Sequence, residues 1–318
     1  MQVTEEKRVK KRRKRFVRDP EFVKDHPMRI SPGDLEIFQQ LDRHELLDSR
    51  HITALVDRPL KKVVRRLDYL WQHGYLGRPA AQLADLLSLS HSGSQPFYHG
   101  LTNRGRREIG LPPRRQKETG FHHHKHTLFT ASIMVALEVA CRRRGDVELI
   151  HFDEILAGSP AETQRSRYPK RLRSELPKKA VRGMTPDTIF GLQFLDGRDL
   201  DQKFFFLEAD RGTEPRRRTQ REQKSIELPS ISQKMERYRQ IYRDGVHRSR
   251  FPIEHFRVLF VTSKNRPRVN NMVHTARTNI ESLHGLFLFI TEEELLGDPL
   301  SAPWQTGRGE IVRLDENG

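Results

Sequence analysis

The sequence predicts an α/β (α+β) chain in two folded parts: a small helical unit with short strands, then a larger mixed-sheet unit. Three observations predict it. Apolar residues recur at helical spacing from about residue 31 to 74, ahead of two short strand-like runs. From 121 to 298, apolar runs of strand length alternate with amphipathic helical stretches. Between the two lies RRQKETG, a polar stretch over residues 114–120 that reads as a linker.

The chain has 318 residues, room for two separate cores. Its hydrophobic fraction of 35% is too high for wholesale disorder. The formal net charge of +16 is most easily explained by a polyanionic partner, nucleic acid ahead of an anionic membrane surface. No apolar run approaches the roughly 20 residues of a membrane span, and the partner expected is nucleic acid, not a membrane. The basic N-terminus lacks the apolar segment of a secretory signal. Cys141 is the single cysteine, which excludes an intrachain disulfide and fits a reducing, cytoplasmic setting.

Residues 1–29 read as a basic flexible arm. Its run KRVKKRRKRFVR at 7–18, with Arg12 and Arg13 at its centre, is either a solvated tail or a follower of phosphates. Residues 30–113 form the first folded unit. Ser31 caps a helix with Pro32 in its first turn and Leu35, Phe38 and Leu41 at helical spacing. A second short helix fits DSRHITALV, with Ile52, Leu55 and Val56 inward. After the turn Asp57-Arg58-Pro59 comes LKKVVRRLDYLWQHG. Leu60, Val63, Val64, Leu67 and Trp71 make its apolar stripe, Lys61, Lys62, Arg65 and Arg66 its basic face, and Gly74 its end. YLGRP and FYHGLTNRG then read as strands flanking a long wing, whose insert AAQLADLLSLS has helical character. Helix, helix, turn, basic helix and wing describe a winged helix-turn-helix, whose third helix enters the major groove of duplex DNA. The competing reading is a helical domain with a solvated basic face.

Residues 121–298 form the second unit, and 299–318 are expected as a tail. A helix covers about 126–143 and a strand fits VELIHF. Strands DTIFGLQF and KFFFLEA follow, separated by an Asp196-Gly197-Arg198 turn. A helix at about 231–243, a strand in FRVLFVT, a helix at about 268–283 and a strand LFLFI complete it. The order is α-β-β-β-α-β-α-β, a central mixed sheet between helices.

FFFLEADRGTEP, at 204–215, carries the chemistry. Side chains alternate along a strand, so Glu208 and Asp210 emerge on one face with Phe204 and Phe206. Asp187 precedes the neighbouring strand and is placed to join them. Carboxylates about 5 Å apart repel by roughly 3 kcal/mol at an effective dielectric near 20. Such a cluster needs a proton, basic neighbours or a divalent cation. Oxygen ligands on a sheet suit Mg²⁺ or Mn²⁺, held by Asp187, Glu208 and Asp210. An ion-pair network with Arg211 and Arg216–Arg218 is the alternative. The next helix bears on the choice. Ser230 and Gln233 make a capping box, and Lys234 falls on the inward stripe of Ile231, Tyr238, Ile241 and Tyr242, where it needs an anion to meet.

The series MTPDTIFGLQF…KFFFLEADRGTEP…SISQKMERYRQIY resembles the plasmid replication-relaxation family. The resemblance takes in the winged helix, its FYHGLTNRG segment and the HTLFTASIMVALEVA helix, roughly residues 30–290. It implies a plan similar to the MOBC-type conjugative relaxases, a winged helix followed by a PD-(D/E)XK nuclease-like core of order α-β-β-β-α-β. Under it, Asp187 and Glu208 match the two acids of the nuclease motif. Asp210 stands where that motif has lysine, and Lys234 is placed as a migrated replacement. The relaxase pattern of His-Glu-x-Asp and two tyrosines is matched by Glu208, Asp210, Tyr238 and Tyr242, with Leu207 in place of the histidine.

Further residues carry weaker signals. FHHHKH, at 121–126, reads as a loop without tetrahedral zinc spacing. His126 opens the helix and shares a stripe with Thr130, Ile133 and Leu137, facing the sheet as a buried or supporting histidine. Glu138 is either an additional helix-borne acid or the partner of Arg142 at i+4. Tyr238 and Tyr242 are core aromatics or nucleophiles. The expected function is DNA binding in plasmid replication or mobilisation with Mg²⁺- or Mn²⁺-dependent nicking, alongside replication or conjugation proteins. The alternatives are a non-catalytic initiator or regulator that retains the nuclease fold as a platform, and a plain transcription regulator.

Overall fold

The computed structural model describes residues 17–80, 82, 96–114, 121–172, 183–195, 201–212, 230–280 and 282–316. Residues 1–16 of the arm, with Arg12 and Arg13, most of the wing insert, the Asp196-Gly197-Arg198 turn and Arg216–Arg218 lie outside them. Residues 17–29, expected as part of a flexible arm, are instead folded: Arg18 donates to the Trp71 and Leu76 carbonyls, and Asp19 caps a short helix. The chain divides into two compact units, Met1–Val135 and Ala136–Gly318.

In the first unit, Asp19 caps α1 (Pro20–Asp25) and a Ser31–Asp34 capping box opens α2 (Pro32–His44). β1 (Leu47–Asp48) leads into α3 (Ser49–Val56), whose first turn is held by the Asp48 carboxylate accepting from the Arg50 and His51 amides. Asp57, left-handed at φ 46°, ends that helix and turns the chain into α4 (Leu60–Gln72). β2 (Leu76–Gly77) and β3 (Tyr98–Leu101) follow, then α5 (Asn103–Glu108) and α6 (Phe121–Arg144), within which the division falls. The three strands pair antiparallel in the order β1-β3-β2.

The seam of α4 is narrower than the sequence predicts. Val63, Leu67, Leu70 and Trp71 are buried, whereas Leu60 and Val64 are 46% and 48% exposed. Val64 lies past the edge of the arc those four positions span, and Leu60 stands in the first turn. The histidines of FHHHKH are in the opening turns of α6, not on a loop.

The second unit contains β4 (Val147–Ile150), α7 (Phe152–Ala157), α8 (Ala161–Gln164), β5 (Thr188–Phe194) and β6 (Asp201–Asp210). Next come α9 (Ile231–Arg243), α10 (Val246–Arg250), β7 (Phe256–Thr262), α11 (Arg266–Asn279) and β8 (Phe287–Thr291). α12 (Glu292–Leu295), β9 (Trp304–Thr306) and β10 (Ile311–Val312) close the chain. The sheet runs β10-β9-β8-β7-β6-β5-β4. β4, β5 and β6 form an antiparallel meander, and β6, β7 and β8 are parallel. Phe206, Phe260 and Phe289 share a core with Met235 and Tyr238 of α9 and Met272 of α11. Phe205 points to the opposite side and stacks on Phe190 at 5.2 Å between centroids.

Residues 299–316, expected as part of a tail, are folded into the sheet. β9 pairs with β8, β10 pairs with β9, and Trp304 is fully buried. Runs of three and two residues are too short to show a period, and their order comes from covering the edge of β8.

Candidate functional site

The site of the second unit stands where β5 begins and β6 ends. Thr188 pairs with Leu207, which puts Asp187 beside Glu208 just ahead of the last ladder position. The Asp187 amide donates to the Leu207 carbonyl at 3.0 Å. Its Oδ2 accepts from the Ala209 amide at 2.7 Å, so the carboxylate takes the place of the next strand carbonyl. Lys170 Nζ donates to the Asp187 carbonyl at 2.6 Å, a contact with no counterpart in the sequence pattern.

Glu208 is 2% exposed and meets two side chains of α9. Lys234 Nζ donates to Oε2 at 2.6 Å, and the Tyr238 hydroxyl donates to Oε1. The two donors sit one turn apart, as the inward stripe predicts. Burial pushes the Glu208 carboxyl up to about 7. The Asp187 charge acts in the same direction, while Lys234 and Tyr238 oppose it.

Asp210 shares the face of Glu208 but is drawn elsewhere. Arg268 of α11 donates Nε to Oδ2 at 2.9 Å and Nη2 to Oδ1 at 3.2 Å. Thr262 Oγ1 donates to Oδ2 at 2.9 Å and the Gly212 amide to Oδ1 at 3.0 Å. The expected trio is therefore a cluster of Asp187, Glu208, Lys234 and Tyr238, with Asp210 in a separate ion pair. Among the described residues, no three His, Cys, Asp or Glu side chains form a set able to hold a metal ion. Arg268 left one faint sign in the sequence: two arginines open α11, at a helix end that disfavours cations unless acids face them.

The donor chemistry at Asp187 and Glu208 suits one small hard cation, because Mg²⁺ is held by one or two carboxylates with water and phosphate oxygens filling its octahedron. Asp210 does not join that set. In this structure the ammonium of Lys234 already provides the positive charge at Glu208.

Tyr242, four residues beyond the fully buried Tyr238, has its hydroxyl 2.9 Å from His255 Nδ1 and its ring stacked on His247. Arg211 follows β6 directly and is half-buried. Glu138 is buried, held by Arg142 one turn on and 3.4 Å from His151 Nε2. His126, half-buried on α6, belongs to the first unit, whereas the cluster belongs to the second.

On α4, Lys61, Lys62 and Arg65 are exposed. Arg66, expected beside them, is engaged inward: Nε donates to Asp34 Oδ1 at 2.7 Å and Nη2 to the Arg29 carbonyl at 2.9 Å. Burial alone would raise the Asp34 carboxyl, but hydrogen bonds from Arg66 and Ser31 hold it below its usual value. The i+3 position from Val63 puts Arg66 at the flank of the seam, within reach of α2.

The two units thus define a mixed α/β protein with an exposed basic helix in one part and an acid–acid–lysine cluster in the other. A family model described as replication-relaxation matches residues 38–252, and the chain belongs to that family. The match includes Asp187, Glu208, Asp210, Lys234, Tyr238 and Tyr242 and stops before Arg268. Neither the curated proteins nor the solved structures gave a match. Membership points to a role in plasmid replication or relaxation, and so to DNA. Among the described residues, no helix is long and apolar enough to cross a membrane.

Proposed function

We propose that this chain is a DNA-binding protein of plasmid replication or mobilisation, with a winged helix-turn-helix first unit and a PD-(D/E)XK-like second unit that nicks DNA. The order of α2, β1, α3, α4, β2 and β3, with its β1-β3-β2 sheet, supports the first assignment. The β4-β5-β6 meander, the crossover through α9 and the parallel β7 support the second.

The contact from Lys234 to Glu208 carries the enzymatic reading. Asp210 occupies the usual lysine position, yet α9 returns a lysine to the acidic pair from another element. Asp187 and Glu208 would hold Mg²⁺ or Mn²⁺, which supplies a nucleophilic hydroxide and charge for the phosphate oxygens. Lys234 steadies the carboxylate and the scissile phosphate, while Tyr238 orients Glu208. Lys61, Lys62 and Arg65 face the duplex, and the basic arm with Arg12 and Arg13 follows phosphates. The setting is the cytoplasm, with replication or conjugation proteins as partners.

A second reading keeps the fold as a binding platform without catalysis. It is favoured by the occupation of both Glu208 oxygens and by the removal of Asp210 to Arg268. Supercoiled plasmid carrying a candidate origin, incubated with the protein and Mg²⁺ or Mn²⁺, separates the two. Open circles that need metal and disappear in Asp187→Ala and Glu208→Ala, with DNA retention intact, establish the enzyme. Retention by all three proteins without nicking establishes the platform.

A further inference from the structure

We propose that Leu60 and Val64 of α4 read thymine methyl groups in the major groove. This rests on the reading of α4 as the helix that enters DNA. Leu60 and Val64 are 46% and 48% exposed and lie four residues apart, forming one apolar ridge along the helix. Lys61 and Arg65 form a parallel ridge beside it, both exposed. Among the described residues of the first unit, Val17 is the other large hydrophobic exposed to this degree.

A single exposed apolar side chain is ordinary, but two stacked together beside cations define a surface with a chemical counterpart. The major-groove edge carries one apolar group, the thymine C5-methyl, and aliphatic side chains near the start of a recognition helix are placed to meet it. Lys61, Lys62 and Arg65 select the occupant. A second copy of a chain with net charge +16 would bring like charge to this face, whereas duplex DNA brings phosphates on both sides of the groove.

The test takes a 30-bp duplex, enriched from a randomised pool by the full-length protein, and measures anisotropy on it and on the same duplex with deoxyuridine replacing thymidine. The wild type is expected to bind the uridine form weaker by about fourfold for each methyl it contacts. Leu60→Ala/Val64→Ala should bind both forms alike, and Lys61→Ala should weaken both by the same factor. Equal wild-type affinity for the two forms overturns the proposal, as does a thymine preference that survives in the double variant. If the protein enriches no duplex at all, the DNA-binding reading falls first and this one with it.

Discussion

Lys234 Nζ and Glu208 Oε2 are 2.6 Å apart although 26 residues separate them in the chain. The pair joins α9 to the end of β6 inside a site where both side chains are largely shielded, 12% and 2% exposed. Replacing Lys234 by alanine leaves burial and Asp187 to act on Glu208 with only Tyr238 opposing them. The Glu208 carboxyl should then take up its proton above about 7, and the loss of stability should be larger at pH 8 than at pH 5. Urea denaturation at the two pH values measures this, and an equal loss at both contradicts it.

In the wild type, Glu208 should contribute less stability as pH rises. The folded state holds the Glu208 proton up to about 7, against an ordinary value of 4.5, so the unfolded chain releases it first. The stability contributed by the Glu208 proton is greatest below 4.5, falls between 4.5 and about 7, and levels above. Glu208→Gln removes this slope. Relative to wild type the variant should gain on the order of 3 kcal/mol between pH 4 and pH 8. Parallel denaturant curves for the two proteins across that range would show no such titration.

Arg268→Ala should be among the costliest changes in the second unit. It leaves Asp210, 3% exposed, without its main counter-charge, a loss on the order of 3–5 kcal/mol. The double change Asp210→Asn/Arg268→Met should cost less than Arg268→Ala alone, since no buried charge is stranded. Midpoints of thermal unfolding for the three proteins decide it.

Arg66 and Lys61 should separate stability from DNA affinity. Arg66→Ala strands Asp34, whose side chain is 1% exposed, and should destabilise by on the order of 2 kcal/mol while the salt dependence of DNA binding is kept. Lys61→Ala should leave stability within about 0.5 kcal/mol and reduce the salt slope by about 1. Binding isotherms from 50 to 200 mM salt, beside denaturation curves, test both.

Ending the chain at Asp298 should unfold or aggregate the second unit. The cut removes Trp304, fully buried, and exposes the edge of β8, an apolar strand of sequence FLFIT. A monodisperse truncated protein with wild-type circular dichroism would count against this.

What the sequence determined by itself is what short-range periodicity and capping encode. The order of the longer helices and strands up to β8 follows from apolar spacing, and the helical stripe that starts at the Ser230–Gln233 capping box turns Lys234 inward. Alternation along β6 likewise put Glu208 and Asp210 on one face. Tertiary structure decided which charge meets which. Arg268 lies 58 residues from Asp210, and Arg66 lies 32 from Asp34. Local patterning does not name the partner in such pairings, because they arise only when parallel β7 and its following helix, or α2 and α4, are packed. A buried carboxylate attracts whichever cation that packing brings within reach, and the packing belongs to the whole chain.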